Sequence, residues 1–196
     1  MRTLFFIIIL IMATDMNAQG QNELPYHEIP SNPESYSAGN VMGRLVDGLG
    51  FRYYWATEGI DEEDLKHRPS PEGRNMEETL DHIYGLSLTM VNATQSIINQ
   101  RPEDRLEITF QEKRAQTLMN FQKSSELMKA GGPNAMESYS VIFKRGESQS
   151  EFPFWNLING PISDALWHTG QVVLMRRAAG NPINPKVSVF TGKLRE

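Results

Sequence analysis

The stretch NMEETLDHIYGLSLTMVNATQSIIN, residues 75–99, gives the clearest structural signal in the chain. Asn75 followed by Glu78 has the pattern of a capping box, in which each side chain accepts a hydrogen bond from the other residue's backbone N–H. Beyond this cap, apolar residues recur at helical spacing. They are Met76, Leu80, Ile83, Leu86, Met90 and Ile97. The pattern predicts a helix from the Asn75 cap to about Asn99.

Three further segments have helical periodicity, at about residues 37–58, 110–130 and 161–179. The second is stopped by Gly-Gly-Pro, and the third begins with a proline, which suits a first helical position. Residues 138–144 (SYSVIFK) and 151–155 (EFPFW) are rich in β-branched and aromatic types, as in short strands. We therefore predict an all-α fold, a four-helix bundle with a short extended or β crossover between helices 3 and 4.

The two ends of the chain differ in composition from the predicted bundle. Residues 4–12 (LFFIIILIM) form an apolar run too short to cross a bilayer as a helix. With Arg2 before it and Ala18 after it, the run has the pattern of a secretory signal peptide over residues 1–18. The other boundaries follow from composition: an extended lead-in at 19–34, the bundle at 35–182 and a C-terminal tail at 183–196. The mature protein is therefore predicted to be exported, periplasmic or secreted, with no stable membrane span.

The composition excludes several classes of protein. A chain of 196 residues suits a single domain. The absence of cysteine excludes a disulfide scaffold, a zinc finger, an iron–sulfur cluster and a cysteine nucleophile. A formal charge of −5 offers no surplus of basic residues to displace counterions, so no nucleic-acid partner is predicted.

Two of the four histidines lie within predicted helices among apolar neighbours. These are His82 and His168, whereas His27 and His67 fall in predicted loops and are expected to face solvent. Asp164 precedes His168 by four residues, so both side chains rise from one helix face, one turn apart. Such a carboxylate–imidazole pair offers two metal ligands, and a histidine from a facing helix would complete a three-ligand site with open positions.

Purely structural roles would also account for these histidines and for Asp164. A histidine within a helix is often a hydrogen-bonded structural residue, and Asp164 lies near a helix start, where a carboxylate complements the dipole. Glu78, one turn before His82, would be a further ligand, although its capping role already accounts for it. Spacing alone leaves the metal and the structural interpretations open.

Other polar and aromatic residues are candidates for the surroundings of a site. Gln171 lies one turn after His168 and is expected to orient a ligand or hold a water molecule. Arg52 and Glu58 are polar among aromatic residues, which indicates either an interior polar site or a surface with buried stems. Five aromatic residues either line a pocket or pack in the core. They are Tyr53, Tyr54, Trp55, Trp155 and Trp167.

Two segments resemble motifs of the DinB/YfiT-like family. Residues 68–84 (RPSPEGRNMEETLDHIY) are similar to the segment that leads into that family's second helix, with an Arg-Pro element and then Glu-x-x-x-His. Residues 164–180 (DALWHTGQVVLMRRAAG) resemble its last-helix signature, in which His is followed by x-Gly-Gln and an apolar run ending in Arg and Gly. Counted by helix order, the likeness covers about residues 35–180. It implies a four-helix bundle with a divalent-metal site of three histidines.

Carried over by position, His82 matches the first ligand of that site and His168 the last. Asp164 stands where the family has the remaining histidine. The resemblance therefore implies a site of two histidines and one carboxylate, which suits Zn, Ni, Mn or Fe without distinguishing them.

The resemblance implies a metal-dependent hydrolase that uses a metal-bound water on a small-molecule substrate. The catalytic candidates are Glu58, Glu78 and Gln171. A non-catalytic metal-binding or structural bundle, in which a homodimer would be one arrangement, is the first alternative. The second is a thiol S-transferase-type enzyme, against which export weighs because the thiol cosubstrates of that branch are cytosolic.

Overall fold

A computed structural model describes residues 24–100 and 108–196. The signal peptide predicted over residues 1–18 and the first part of the predicted lead-in lie outside the described residues. Within the described ranges, no helix combines the length and the apolar character that a membrane crossing requires.

Four long helices form the main body of residues 24–100 and 108–196. They are α1 (Ala38–Thr57), α3 (Met76–Ala93), α4 (Phe110–Ala130) and α7 (Ser163–Ala179). The predicted capping box of α3 is confirmed, since Asn75 and Glu78 each accept a hydrogen bond of 2.8 Å from the other residue's backbone N–H. Thr109 caps α4 in the same way. These caps satisfy backbone donors that have no partner within the helix.

Shorter helical segments connect the long ones. They are α2 (Glu62–Lys66), α5 (Ala135–Ser138) and α6 (Phe154–Leu157). A π-helical turn, Ile158–Ile162, joins α6 directly to α7 and contains Pro161. Proline has no N–H to donate, and this wider turn accommodates it within a continuous helical path. Pro161 is therefore an interior residue rather than the first residue of the fourth long helix.

Two small sheets complete the described part of the chain. The first has the strand order β1 (Ile98–Gln100), β2 (Ser140–Arg145) and β3 (Ser148–Pro153). Strands β1 and β2 are parallel, and β2 and β3 form an antiparallel hairpin. The second sheet pairs β4 (Val187–Ser188) with β5 (Lys193–Leu194).

The predicted all-α four-helix bundle is wrong, because these sheets make the fold a mixed α/β one. The difference lies at residues 94–99, for which the apolar repeat predicts a continuation of the second long helix. That helix ends at Ala93, and Ser96 takes a positive φ of 53° that breaks the helical path. The chain then runs as β1 beside β2, where the Asn99 side chain donates a hydrogen bond of 3.0 Å to the carbonyl of Ile142.

The core lies between α1, α3, α4 and α7. Its centre includes Tyr53 of α1 and Phe121 of α4, whose rings meet edge to face with centroids 5.7 Å apart. Trp55 is also buried, whereas Trp155 and Trp167 are 73% and 72% exposed. The aromatic set therefore divides between the core and the surface. The packing of α3 beside α7 brings the two long helices that carry His82 and His168 together.

The lead-in is tied to the helices from Leu24 onward. The hydroxyl of Tyr26 donates to the buried carboxylate of Asp47, and the indole N–H of Trp55 donates to the carbonyl of His27. The Ile29 N–H donates to the carbonyl of Gly192, close to β5. Residues near both ends of the described chain thus meet on one side of the protein.

Candidate metal centre

The side chains of His82, Asp164 and His168 converge between α3 and α7. Asp164 lies in the first turn of α7 and His168 one turn later, so the helix repeat places them on the same face. His82 extends from the middle of α3 toward them. One potential ligand atom from each of the three residues lies within 4.8 Å of the other two.

The carboxylate of Asp164 bridges the two imidazoles. Its Oδ2 lies 2.9 Å from Nε2 of His82, and its Oδ1 lies 3.3 Å from Nε2 of His168. The two rings are nearly perpendicular, with centroids 4.8 Å apart. Ligand atoms about 2.0–2.2 Å from a tetrahedral zinc ion lie about 3.3 Å from each other. The spacing and chemistry of the donor set therefore fit a divalent ion.

Gln171 fixes the orientation of one imidazole. Its side-chain oxygen lies 2.7 Å from Nδ1 of His168. Because an amide oxygen can only accept a hydrogen bond, Nδ1 is the donor, and Nε2 is the ring nitrogen that faces Asp164 and would bind an ion. Such partners of metal-ligating histidines hold the ring in place and raise its basicity. The residue expected to orient a ligand thus contacts His168 directly.

Replacing Gln171 with Leu is expected to lower zinc affinity about ten-fold, because the Nδ1 proton of His168 loses its acceptor. Competition with a chromogenic chelator measures this affinity. Gln171→Glu is the matched control: it keeps an acceptor oxygen at the same reach and should retain most of the affinity. Equal affinity of Gln171→Leu and the wild-type protein would contradict the assigned role.

The centre is accessible from solvent. The side chains of His82 and Asp164 are 33% and 39% exposed, whereas that of His168 is 15% exposed. His168 and Gln171 also line one end of a cleft of about 640 Å³. A small molecule in this cleft would therefore contact His168, one of the three residues of the cluster.

Two of the three catalytic candidates are held by other partners. Glu78 closes the cap of α3 and also lies 3.0 Å from Arg68. The backbone N–H of Asn75, together with Arg68, keeps the pKa of Glu78 below its usual range. Glu58 forms an ion pair with Arg114 of α4. The contact of Gln171 with His168 distinguishes it from both glutamates.

The remaining polar predictions have mixed outcomes. Arg52 donates to the carbonyl of Gly48, one turn earlier on the same helix, instead of entering the three-residue cluster. His27 is half-buried beside Trp55, with ring centroids 5.0 Å apart, so it is not the solvent-facing residue predicted. His67 is also half-buried and lines the 640 Å³ cleft.

Residues of the loop before α3 were missed as functional candidates. Arg68 and Arg74 line the same cleft as His168. The segment RPSPEGR contains both arginines, and its Pro and Gly residues predict a turn. The sequence shows that this loop is basic. It does not show that the two arginines lie beside His168, because residue spacing along a loop does not fix where the side chains point.

No protein-family profile, curated protein or solved structure matches this chain. The likeness to DinB/YfiT-like proteins accordingly rests on the two quoted motifs, and membership of that family stays a prediction.

Proposed function

We propose that this protein is a metal-dependent hydrolase acting on a small molecule. The observation that carries the proposal is the convergence of two imidazoles and one carboxylate beside an open cleft. Sites with two histidines and one carboxylate are an established donor set of zinc hydrolases and non-haem iron enzymes. The motif resemblance to DinB/YfiT-like proteins supports the same donors.

Each residue has a distinct task in this proposal. His82, Asp164 and His168 would hold the ion, and Gln171, by accepting from Nδ1 of His168, would leave Nε2 of that ring as the ligand atom. When bound, a divalent ion supplies Lewis acidity that polarises a substrate carbonyl and lowers the pKa of water. The cleft beside His168 provides the surface that positions the substrate.

Hydrolysis is tested with zinc- and manganese-loaded protein on a panel of p-nitrophenyl acetate, p-nitrophenyl phosphate and an amino-acid p-nitroanilide. The expected result is turnover of at least one substrate class that disappears on chelation and in Asp164→Asn. That variant keeps the size of the side chain but loses its charge and one of its oxygen donors. Glu63→Gln, an exposed change on α2, is the control and should leave turnover unchanged.

A non-catalytic role gives a different result. Stoichiometric metal binding without turnover of any substrate in the panel would favour the metal-binding alternative. Turnover that persists in Asp164→Asn after complete chelation would contradict the assigned centre.

A further inference from the structure

The cleft beside the metal centre has two chemically different walls. One wall is the loop before α3, which contributes His67, Arg68 and Arg74. The other wall is α7, which contributes Leu174, Met175 and Ala178 beyond the polar pair His168 and Gln171. Basic and apolar side chains therefore line the same cleft, and His168 connects it to the metal centre.

The two arginines differ in their partners. Arg68 is fixed, because one guanidinium nitrogen donates to the carbonyl of Gly73 and another lies 3.0 Å from Glu78. Arg74 makes no hydrogen bond or ion pair with any residue of 24–100 or 108–196. The Glu78 carboxylate accepts from the Asn75 N–H and from Arg68, and Arg74 acts on it only through the charge, without a hydrogen bond. The loop thus keeps one guanidinium available to an external anion.

The apolar wall sets the reach of a ligand. Leu174 is 65% exposed, so its side chain offers apolar surface to a molecule in the cleft. At about 1.5 Å of rise per residue, the seven helical steps from Gln171 to Ala178 span about 10 Å. A short alkyl or similar apolar chain would cover the exposed Leu174 and Ala178, which lie one turn apart on α7.

We propose that the cleft binds a small molecule with a carboxylate or phosphate group at Arg74 and Arg68 and an apolar portion along Leu174 and Ala178. Guanidinium groups bind both anions with charge-assisted hydrogen bonds, and apolar surface withdrawn from water adds to affinity. This subsite exists without a metal. Only its role in presenting a substrate to His82, Asp164 and His168 rests on the proposed function.

Calorimetric titration with hexanoate, hexyl phosphate and hexanol tests the subsite, in metal-free and zinc-loaded protein. We expect at least one of the two anions to bind the metal-free protein about five-fold or more tightly than hexanol. The tighter of the two identifies the anionic group. Arg74→Gln should weaken the binding of that anion by a similar factor and leave the binding of hexanol unchanged. Arg177→Gln, an exposed arginine of α7 outside the cleft lining, is the matched control and should have no effect.

The outcomes separate this subsite from the metal centre. Equal binding of all three probes, or unchanged anion binding in Arg74→Gln, would overturn the proposal. Anion binding seen only in zinc-loaded protein would also overturn it, because the anion would then be a ligand of the ion. A third outcome is that the protein takes up no zinc but binds the anion, and that this binding is lost in Arg74→Gln. That result would support the subsite and refute only the metal-dependent function.

Discussion

Replacing His168 with Ala is expected to reduce zinc binding from about one ion per chain to none at micromolar concentrations. The change removes one of three protein ligands, and it also leaves Gln171 without the imidazole that it orients. Residues that only orient a ligand typically change metal affinity ten- to hundred-fold. Loss of a direct ligand should have a larger effect, so we expect zinc affinity to fall by more than about 100-fold. Elemental analysis of dialysed protein and competition with a chelator measure the two quantities.

His82→Ala should show the same loss without unfolding the protein, because His82 is one-third exposed and lies on the surface of α3. Circular dichroism checks the fold of both variants. His27→Ala is the matched control, since that imidazole packs against Trp55 away from the cluster and should leave zinc binding intact.

A hydrogen-bonded His–Asp–His cluster without metal is the competing interpretation of the same geometry. It predicts no change in stability when zinc is added. A bound ion instead stabilises the native state by about 2.7 kcal/mol at a free concentration 100 times its dissociation constant. The midpoint of thermal unfolding should therefore rise with zinc in the wild-type protein and stay constant in His168→Ala. The metal centre would be contradicted if the wild-type protein retained no ion after it was soaked in zinc, nickel or manganese.

The three ligand candidates could be predicted because helical spacing is a local rule. Asp164 and His168 need only the 3.6-residue repeat to share a face. The pairing of that face with His82 came from the motif resemblance, since nothing in the helical repeat says which helices are neighbours. The bounds of α4 were predicted for a similar reason, because the Gly-Gly-Pro stop is local.

The strand-rich composition of residues 138–155 indicated the β2–β3 hairpin, but β1 and the basic loop could not be predicted, because both depend on contacts between distant residues. Ile97 fits the apolar repeat of α3, yet the next residue, Ile98, pairs with Ile142, more than 40 positions away. Arg74 likewise becomes notable only when the loop folds against α7. Non-local pairing of this kind leaves no periodic signal in either segment, and it changed the fold class from all-α to mixed.

A second large effect is expected at Asp47, whose carboxylate lies inside the protein. It is 2% exposed, and it accepts hydrogen bonds from Tyr26 and Ser125 at 3.1 and 2.6 Å. It also forms an ion pair with Lys129 of α4. Burial, and then the charge of Asp47, raises the pKa of Tyr26, so this phenol stays protonated and can donate. One side chain thus joins the lead-in, α1 and α4.

Asp47→Ala is expected to lower the free energy of unfolding by about 3–5 kcal/mol, because it leaves a largely buried ammonium group and the Tyr26 hydroxyl without their acceptor, whereas Ser125 keeps the carbonyl of Gly43. Urea denaturation measures the loss. Tyr26→Phe removes one neutral donor and should cost about 1 kcal/mol. Glu63→Ala, which breaks the exposed ion pair with Lys66, is the control and should change little. If Asp47→Ala were as mild as Glu63→Ala, water would have to replace the carboxylate, and the lead-in would not be anchored through it.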